Sequence, residues 1–421
     1  MNYLFSKKAK TVSMILMIIG VIGLVSRFVT DHSAHHDVFW SNLLINGLFF
    51  TFITFGALFF IALQYATETA WSVMARRIYE AILGFLPVGI VILCIVFLAS
   101  TFHMNHIYHW MDSSVTNEFV MESTVNSDHP TYVNEMQEGA IANDHFDSII
   151  AGKSSYLNPM FWWLRNLVYF ATFLFFAWKF RKTSLEEDEV GGSEIHVRNY
   201  RRGALFLVFF AVFSSSIGWD WIMSIDTHWF STMFSWQAFS GMWVTAMIVS
   251  LIMALYLKSK GLLPQLNESH VHDMGKWVFA ISFLWTYLWF SQFMLIWYSD
   301  IPEEVTYYAV RFAHYGVPMW VVVGINFLLP MILLMSRDAK RNSNFLITVC
   351  TVIFFSHWFA VYMLVTPGVQ HDHWSGLEFS EVAMMLGFLG LFIFVVLNTL
   401  SKANLVPKGS PFMDESIHHH I

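Results

Sequence analysis

Apolar residues along the chain gather into ten long runs divided by polar stretches, at 11–30, 39–64, 80–102, 159–179, 203–224, 235–257, 276–298, 317–336, 344–366 and 376–400. Each run is near the ~20 residues that a helix needs to cross a hydrocarbon core, so the pattern predicts ten transmembrane helices. The first run follows Lys7, Lys8 and Lys10, as in a secretory signal. It lacks a small-x-small cleavage site and further spans follow, so it is expected to stay as an anchor. The longest polar interruption, 103–158, has the length of a loop that binds a partner or packs over the bundle. A second, 181–202, is acidic, contains Gly191-Gly192, and lies where it would join two similar halves.

Composition sharpens this pattern. The 421 residues are 56% hydrophobic, 18% aromatic and 13% charged, with a mean hydropathy of +0.52. A soluble domain carries about 25% charged residues, so an ordinary cytosolic globule is excluded, and so is a disordered chain. The net charge of −7 argues against nucleic acid as a partner. Of the 23 lysines and arginines, all but Arg27, Lys153, Arg165 and Arg311 fall on one side of the ten predicted spans. The positive-inside rule makes that side, with both termini, cytoplasmic. The opposite side collects most of the histidines, among them His103, His106, His109, His129 and His228. The terminal His418-His419-His420 is given no role.

Candidate chemistry is sparse. Cys94 and Cys350 sit singly in apolar runs, and there is no CxxCH haem motif or iron–sulfur cysteine set. No phosphate loop, dinucleotide fingerprint or nucleophile elbow occurs in a suitable context. His103, His106 and His109 have a metal-like spacing, but on a helix they would fan over more than one face. No cysteine or nearby carboxylate is in view to complete a set, so no metal is expected.

Ionisable groups at membrane depth default to functional hypotheses. Ser216, Asp220, Ser224 and His228 recur every fourth residue, which on a continuous helix is one face. That stripe offers a proton path or hydrogen bonds for a quinone head group. The plainer reading has Asp220 bonding a neighbouring helix while Asp226 and His228 face water. Arg165, near the end of the fourth span, is placed to pair with Asp220 or Asp226. Gln292 needs partners inside the seventh span. Beyond it Pro302 is expected to end the helix, with Asp300, Glu303 and Glu304 as an acidic rim. His357, with Tyr362 further out, is the only histidine well inside a span, suited to packing or to proton relay. Ser375 to Glu378 has capping-box spacing for the tenth span, which leaves Glu381 as a further relay candidate.

Two segments are specific. Trp219 to Trp236, with the core Trp-Asp-Trp-Ile-Met-Ser-Ile-Asp-Thr-His-Trp-Phe, resembles the F subunit of bacterial alternative complex III. Trp289 to Glu304, Trp-Phe-Ser-Gln-Phe-Met-Leu-Ile-Trp-Tyr-Ser-Asp-Ile-Pro-Glu-Glu, is similar to a motif of the two large membrane subunits of that complex. The length, the lysine-rich start and the end of the chain also fit, so the resemblance covers essentially all of it. The family is related to the membrane anchor of polysulfide reductase.

The resemblance implies an all-α integral membrane protein with two four-helix bundles, spans 2–5 and 6–9, and peripheral first and tenth spans. The divisions are then 1–38 (anchor), 39–230 (first bundle, with the outer loop), 231–366 (second bundle) and 367–421 (peripheral helix and tail). It implies a multi-pass subunit in the bacterial inner membrane of an assembly that oxidises quinol. Electrons pass through iron–sulfur clusters and c-type haems of partner subunits to cytochrome c or a terminal oxidase. A sister ten-helix subunit is the better place for the quinol site. This subunit is expected to hold no covalent cofactor and to bind phospholipid and either menaquinone (or another quinone) or protons, through Asp220, Asp226, His228, Ser224, Ser216, Arg165, Gln292, His357 and Tyr362. A secondary transporter and a purely structural scaffold are the alternatives. Polar groups crowding the outer third, rather than broken helices at the midplane, count against transport.

Overall fold

The computed structural model describes residues 3–33, 35–125, 127 and 130–420, and His129 lies outside them. Among the described residues ten helices are long and apolar enough to cross a membrane: α1 (Lys7–Thr30), α2 (Asp37–Ala66), α3 (Trp71–Thr101), α4 (Pro159–Val190), α5 (Ser193–Ile225), α6 (Thr232–Ser259), α7 (Glu268–Ser299), α8 (Pro302–Leu333), α9 (Ser343–Gln370) and α10 (Phe379–Leu400). Each apolar run seeds one helix. The helices outrun the apolar stretches because capping groups, not hydropathy, end them. Ser6, Asn158 and Asn342 accept the first free amides of α1, α4 and α9, and Asn267 with His270 forms a capping box on α7. The 32 residues of α4 make ~48 Å of helix, well beyond a ~30 Å hydrocarbon core. The segment 181–202 is therefore helical on both sides of a turn at Gly191 and Gly192, where φ is +69° and +93°.

Two boundaries differ in kind. Pro302 does not end α7; it opens α8. Asp300 turns the chain in the left-handed region, Pro302 occupies the first turn where its missing N–H is no loss, and Glu303 and Glu304 favour the positive end of the helix. The N-cap of α10 is Glu378, with Glu381 as its box partner, rather than Ser375. Gly376, at φ +113°, cannot belong to a helix begun at Ser375. Within α8, Pro318 has no N–H for the His314 carbonyl, and the chain kinks at Tyr315. Pro330 likewise leaves the Asn326 carbonyl without a donor, and residues 324–328 re-register as a π turn.

The almost wholly buried α2 is the hub, packed by α3, α5, α6, α9 and α10. Helices α2–α5 form one bundle and α6–α9 the other, meeting along α2 and α6. Small residues permit the approach: a Cβ on Gly56 would lie 2.2 Å from the Met242 carbonyl oxygen. Outside the bundles α1 runs along α10, and the two touch backbone to backbone, so that a Cβ on Gly20 would lie 2.2 Å from the Gly387 Cα. Gly387→Leu is expected to cost more than the ~1–3 kcal/mol of ordinary overpacking, because backbone cannot yield. The check is a lowered thermal midpoint together with protease access at Lys7 to Lys10; an unchanged midpoint would contradict the contact.

The loop 103–158 carries a small antiparallel sheet of β1 (Phe119–Met121), β2 (Tyr132–Val133) and β3 (Ala140–Ala142), in the order β2-β1-β3. It seats Tyr108 and Trp110, both buried, against Trp162 of α4.

The lysine-rich ends of the helices, here the basic face, hold a buried ionic network. Arg77 bridges Glu80 at 2.7 Å and Asp188 at 2.5 Å and donates to the Ser184 carbonyl. Arg76 pairs with Glu187, and Arg181 donates to the Glu80 and Thr399 carbonyls. The C-terminal tail docks on this face, with His419 on Asp273 at 2.6 Å and Ser416 donating to the Trp71 carbonyl.

Candidate functional site

Three polar groups lie inside the helical body. The first joins α4 to α5. The Arg165 guanidinium grips the Asp220 carboxylate with both prongs, Nε to Oδ2 at 2.9 Å and Nη2 to Oδ1 at 2.7 Å. Tyr169 donates its hydroxyl to Oδ2 at 3.0 Å. Asp220 is fully buried, and Arg165 is also sandwiched against the rings of Tyr156 and Phe161. Burial and the neighbouring Asp220 push the Tyr156 hydroxyl up to about 12. Side chains serve the last carbonyls of this end of α5: Trp162 and Ser224 donate to the Asp220 carbonyl and Tyr108 to that of Trp221.

Those side-chain donors explain why the predicted four-residue stripe does not persist. The α-helical part of α5 stops at Trp221, and a 3-10 turn follows over 223–225. Ser224 bonds back to the helix end, and half-buried Ser216 donates to the Val212 carbonyl. His228 points outward, half exposed, onto Asp147 of the loop at 2.6 Å. Burial would raise the Asp147 carboxyl, but the His228 contact and the amides of Ile149 and Ile150 prevail and hold it below the ordinary carboxylate range.

The second group runs through α6–α9. Two small cavities share Gln237 and Trp285 in their walls. The deeper, about 20 Å³, is lined by His357, whose ring stands edge-on to Trp285. The outer, about 40 Å³, is lined by Gln292, Tyr307, Tyr308 and Arg311. A cavity needs only ~10–15 Å³ to admit a water molecule, so both have room for one and the outer for more. His357 Nε2, Gln292 Oε1 and Arg311 Nε are buried without a protein partner. The file ends where Arg311, 3.3 Å over the Tyr307 ring, lies 3.9 Å from Asp226, whose side chain is one-third exposed. Lys153 approaches the same mouth and donates to the Thr227 carbonyl; burial lowers its ammonium from the usual lysine value.

The third group is Glu381, buried among α2, α9 and α10. It accepts from Asn42 at 2.9 Å and from the Tyr362 hydroxyl at 3.2 Å, while Trp374 donates to that hydroxyl at 3.0 Å. Nearby, Arg27 pairs with Glu378 at 2.5 Å.

The structure thus brings Arg165 to Asp220, Gln292 and His357 into one file with Asp226, and Tyr362 to Glu381. Ser216 lies beside Tyr169 at the edge of the first group, and His228 stands apart from all three. Sequence reasoning passed over Gln237, Tyr307, Tyr308 and the depth of Arg311. An amide inside an apolar run marks Gln237 as it marks Gln292. Arg311 was hidden because α8 was started too late. His103 and His106 both bond a carboxylate the spacing argument overlooked, Asp112, each at 2.8 Å. Among the described residues no three His, Cys, Asp or Glu side chains converge as metal ligands. Compared with known proteins, the chain matches no family model and no curated protein.

Proposed function

We propose that this chain is a membrane subunit of a quinol:cytochrome c or quinol:oxidase oxidoreductase complex in a bacterial inner membrane, and that α6–α9 carry a proton path to its histidine-rich face. The path is supported by one observation: two cavities with shared walls are lined by His357, Gln292 and Arg311, each with a buried, unpartnered polar atom, and Arg311 lies 3.9 Å from the part-exposed Asp226. Membership of the complex is supported by the resemblance of Trp219–Trp236 and Trp289–Glu304 to its membrane subunits. On this reading the imidazole of His357 accepts and releases protons at mid-depth, the amides of Gln237 and Gln292 and the hydroxyls of Tyr307 and Tyr308 orient water between them, and Asp226 delivers to the surface. Arg311 keeps the mouth cationic beside Asp226. Protons fit this site better than quinone does, because ligand cavities run to ~300–1,000 Å³, far more than either cavity here. The Arg165–Asp220 pair, with every strong donor and acceptor engaged, serves as a clamp for the first bundle. The loop 103–158 and its sheet form the docking face for haem- and cluster-bearing partners.

The test uses the assembly purified gently from its native membrane and put into liposomes with quinol, a c-type cytochrome and an internal pH probe. With His357→Phe and Gln292→Leu together, turnover in the presence of an uncoupler is expected to persist, and proton release beyond that of quinol oxidation itself to vanish. Full coupling in this variant sinks the path. Purification as a colourless single chain that moves a solute sinks the subunit assignment in favour of a transporter.

A further inference from the structure

On the basic face the pair α1/α10 does not close against the second bundle. Between α1, α6, α9 and α10 lies a cavity of about 850 Å³, within the ~300–1,000 Å³ of sites that hold a ligand. Its depth is hydrocarbon, with Val12, Val249, Phe354 and Leu389 from the four helices. Its rim is different. Lys8 at the start of α1 and Lys260 just past α6 both line it, and among the described residues no carboxylate lines it beside them. Tyr3, itself only 2% exposed, also lines it, with its hydroxyl beside that of Tyr256 on the same wall. Phenol hydroxyls at such a rim can donate to an oxygen-rich head group.

An apolar body with a cationic, proton-donating rim at one membrane face is the complement of an amphiphile with a negative head. An isoprenoid quinone would fill the depth but has no charge for either lysine. We infer that this cavity is a binding site for an anionic phospholipid, its acyl chain lying between the α1/α10 pair and α6/α9, its phosphate held by Lys8 and Lys260, and the Tyr3 hydroxyl donating to a head-group oxygen. The lipid then joins the peripheral pair to the second bundle, where protein contacts alone leave a gap.

The test takes the full chain in its native assembly, stripped of lipid and placed in phosphatidylcholine nanodiscs with titrated phosphatidylglycerol, and reads retained lipid by native mass spectrometry. Phosphatidylglycerol is expected to be retained at least tenfold over phosphatidylcholine. Lys8→Gln with Lys260→Gln should bring that ratio close to one. Val12→Trp, which fills the cavity from a half-exposed position, should reduce retention of both lipids while the lysines stay in place. Equal retention of the two lipids by the unaltered protein, an unchanged preference in the double lysine variant, or a quinone occupying the site in place of phospholipid would each overturn the assignment.

Discussion

Asp220→Leu is expected to destabilise the protein by about 3–5 kcal/mol, the cost of leaving one member of a buried ion pair unmatched. Arg165 has nowhere else to go: it reaches Asp220 through two nitrogens and its third bonds the Tyr156 carbonyl. The rings of Tyr156 and Phe161 hold the guanidinium in place, and Tyr169 loses its acceptor as well. The decisive measurement is the double variant Arg165→Met/Asp220→Leu. Apolar replacement of a whole buried pair is often close to neutral, so the double variant should recover most of the stability lost by the single one, as read from thermal unfolding in detergent. If Asp220 carries protons instead, the double variant would regain its fold and stay uncoupled. On the clamp reading it regains both.

The second large effect is expected on the basic face. Arg77 is 2% exposed and neutralises Glu80 and Asp188 together. Arg77→Met leaves both carboxylates with no cation of that reach, and about 3–5 kcal/mol should again be lost. Arg77→Lys should rescue little of it, because the single nitrogen of an ammonium cannot span the acceptors that two guanidinium nitrogens reach. The tail provides a local readout. Asp188 also accepts the backbone amide of Lys408, so the variant should expose residues 402–420 to protease before the helices melt. A lysine variant as stable as the parent would show that charge alone, not the fork, holds this corner.

The number of spans and their order were legible because hydropathy reports burial in lipid directly, whereas the peripheral placement of α1 and α10 was implied only by the family resemblance. The late start assigned to α8 shows the limit of that signal. Residues 302–316 hold Glu303, Glu304, Arg311 and His314 and read as a loop, yet the helix is set by Pro302 at its first turn and by Arg311 facing inward. The pairing of Arg165 with Asp220 could be anticipated from opposite charges at one depth on consecutive spans. The file from His357 to Asp226 could not, because it draws on four helices whose neighbours are set by packing. The stripe through Ser216 and His228 failed for a local reason: Tyr108, from a loop far away in sequence, caps the helix that the stripe assumed to continue.

The crossing of Gly20 on Gly387 also sets the order in which the molecule can be made. α1 has its main partner in α10, and all eight other spans described lie between them in sequence. Contacts of such separation form late and slowly. Until α10 is synthesised the Gly20 face of α1 lacks this partner, so the pair closes only after the helices between them have been made.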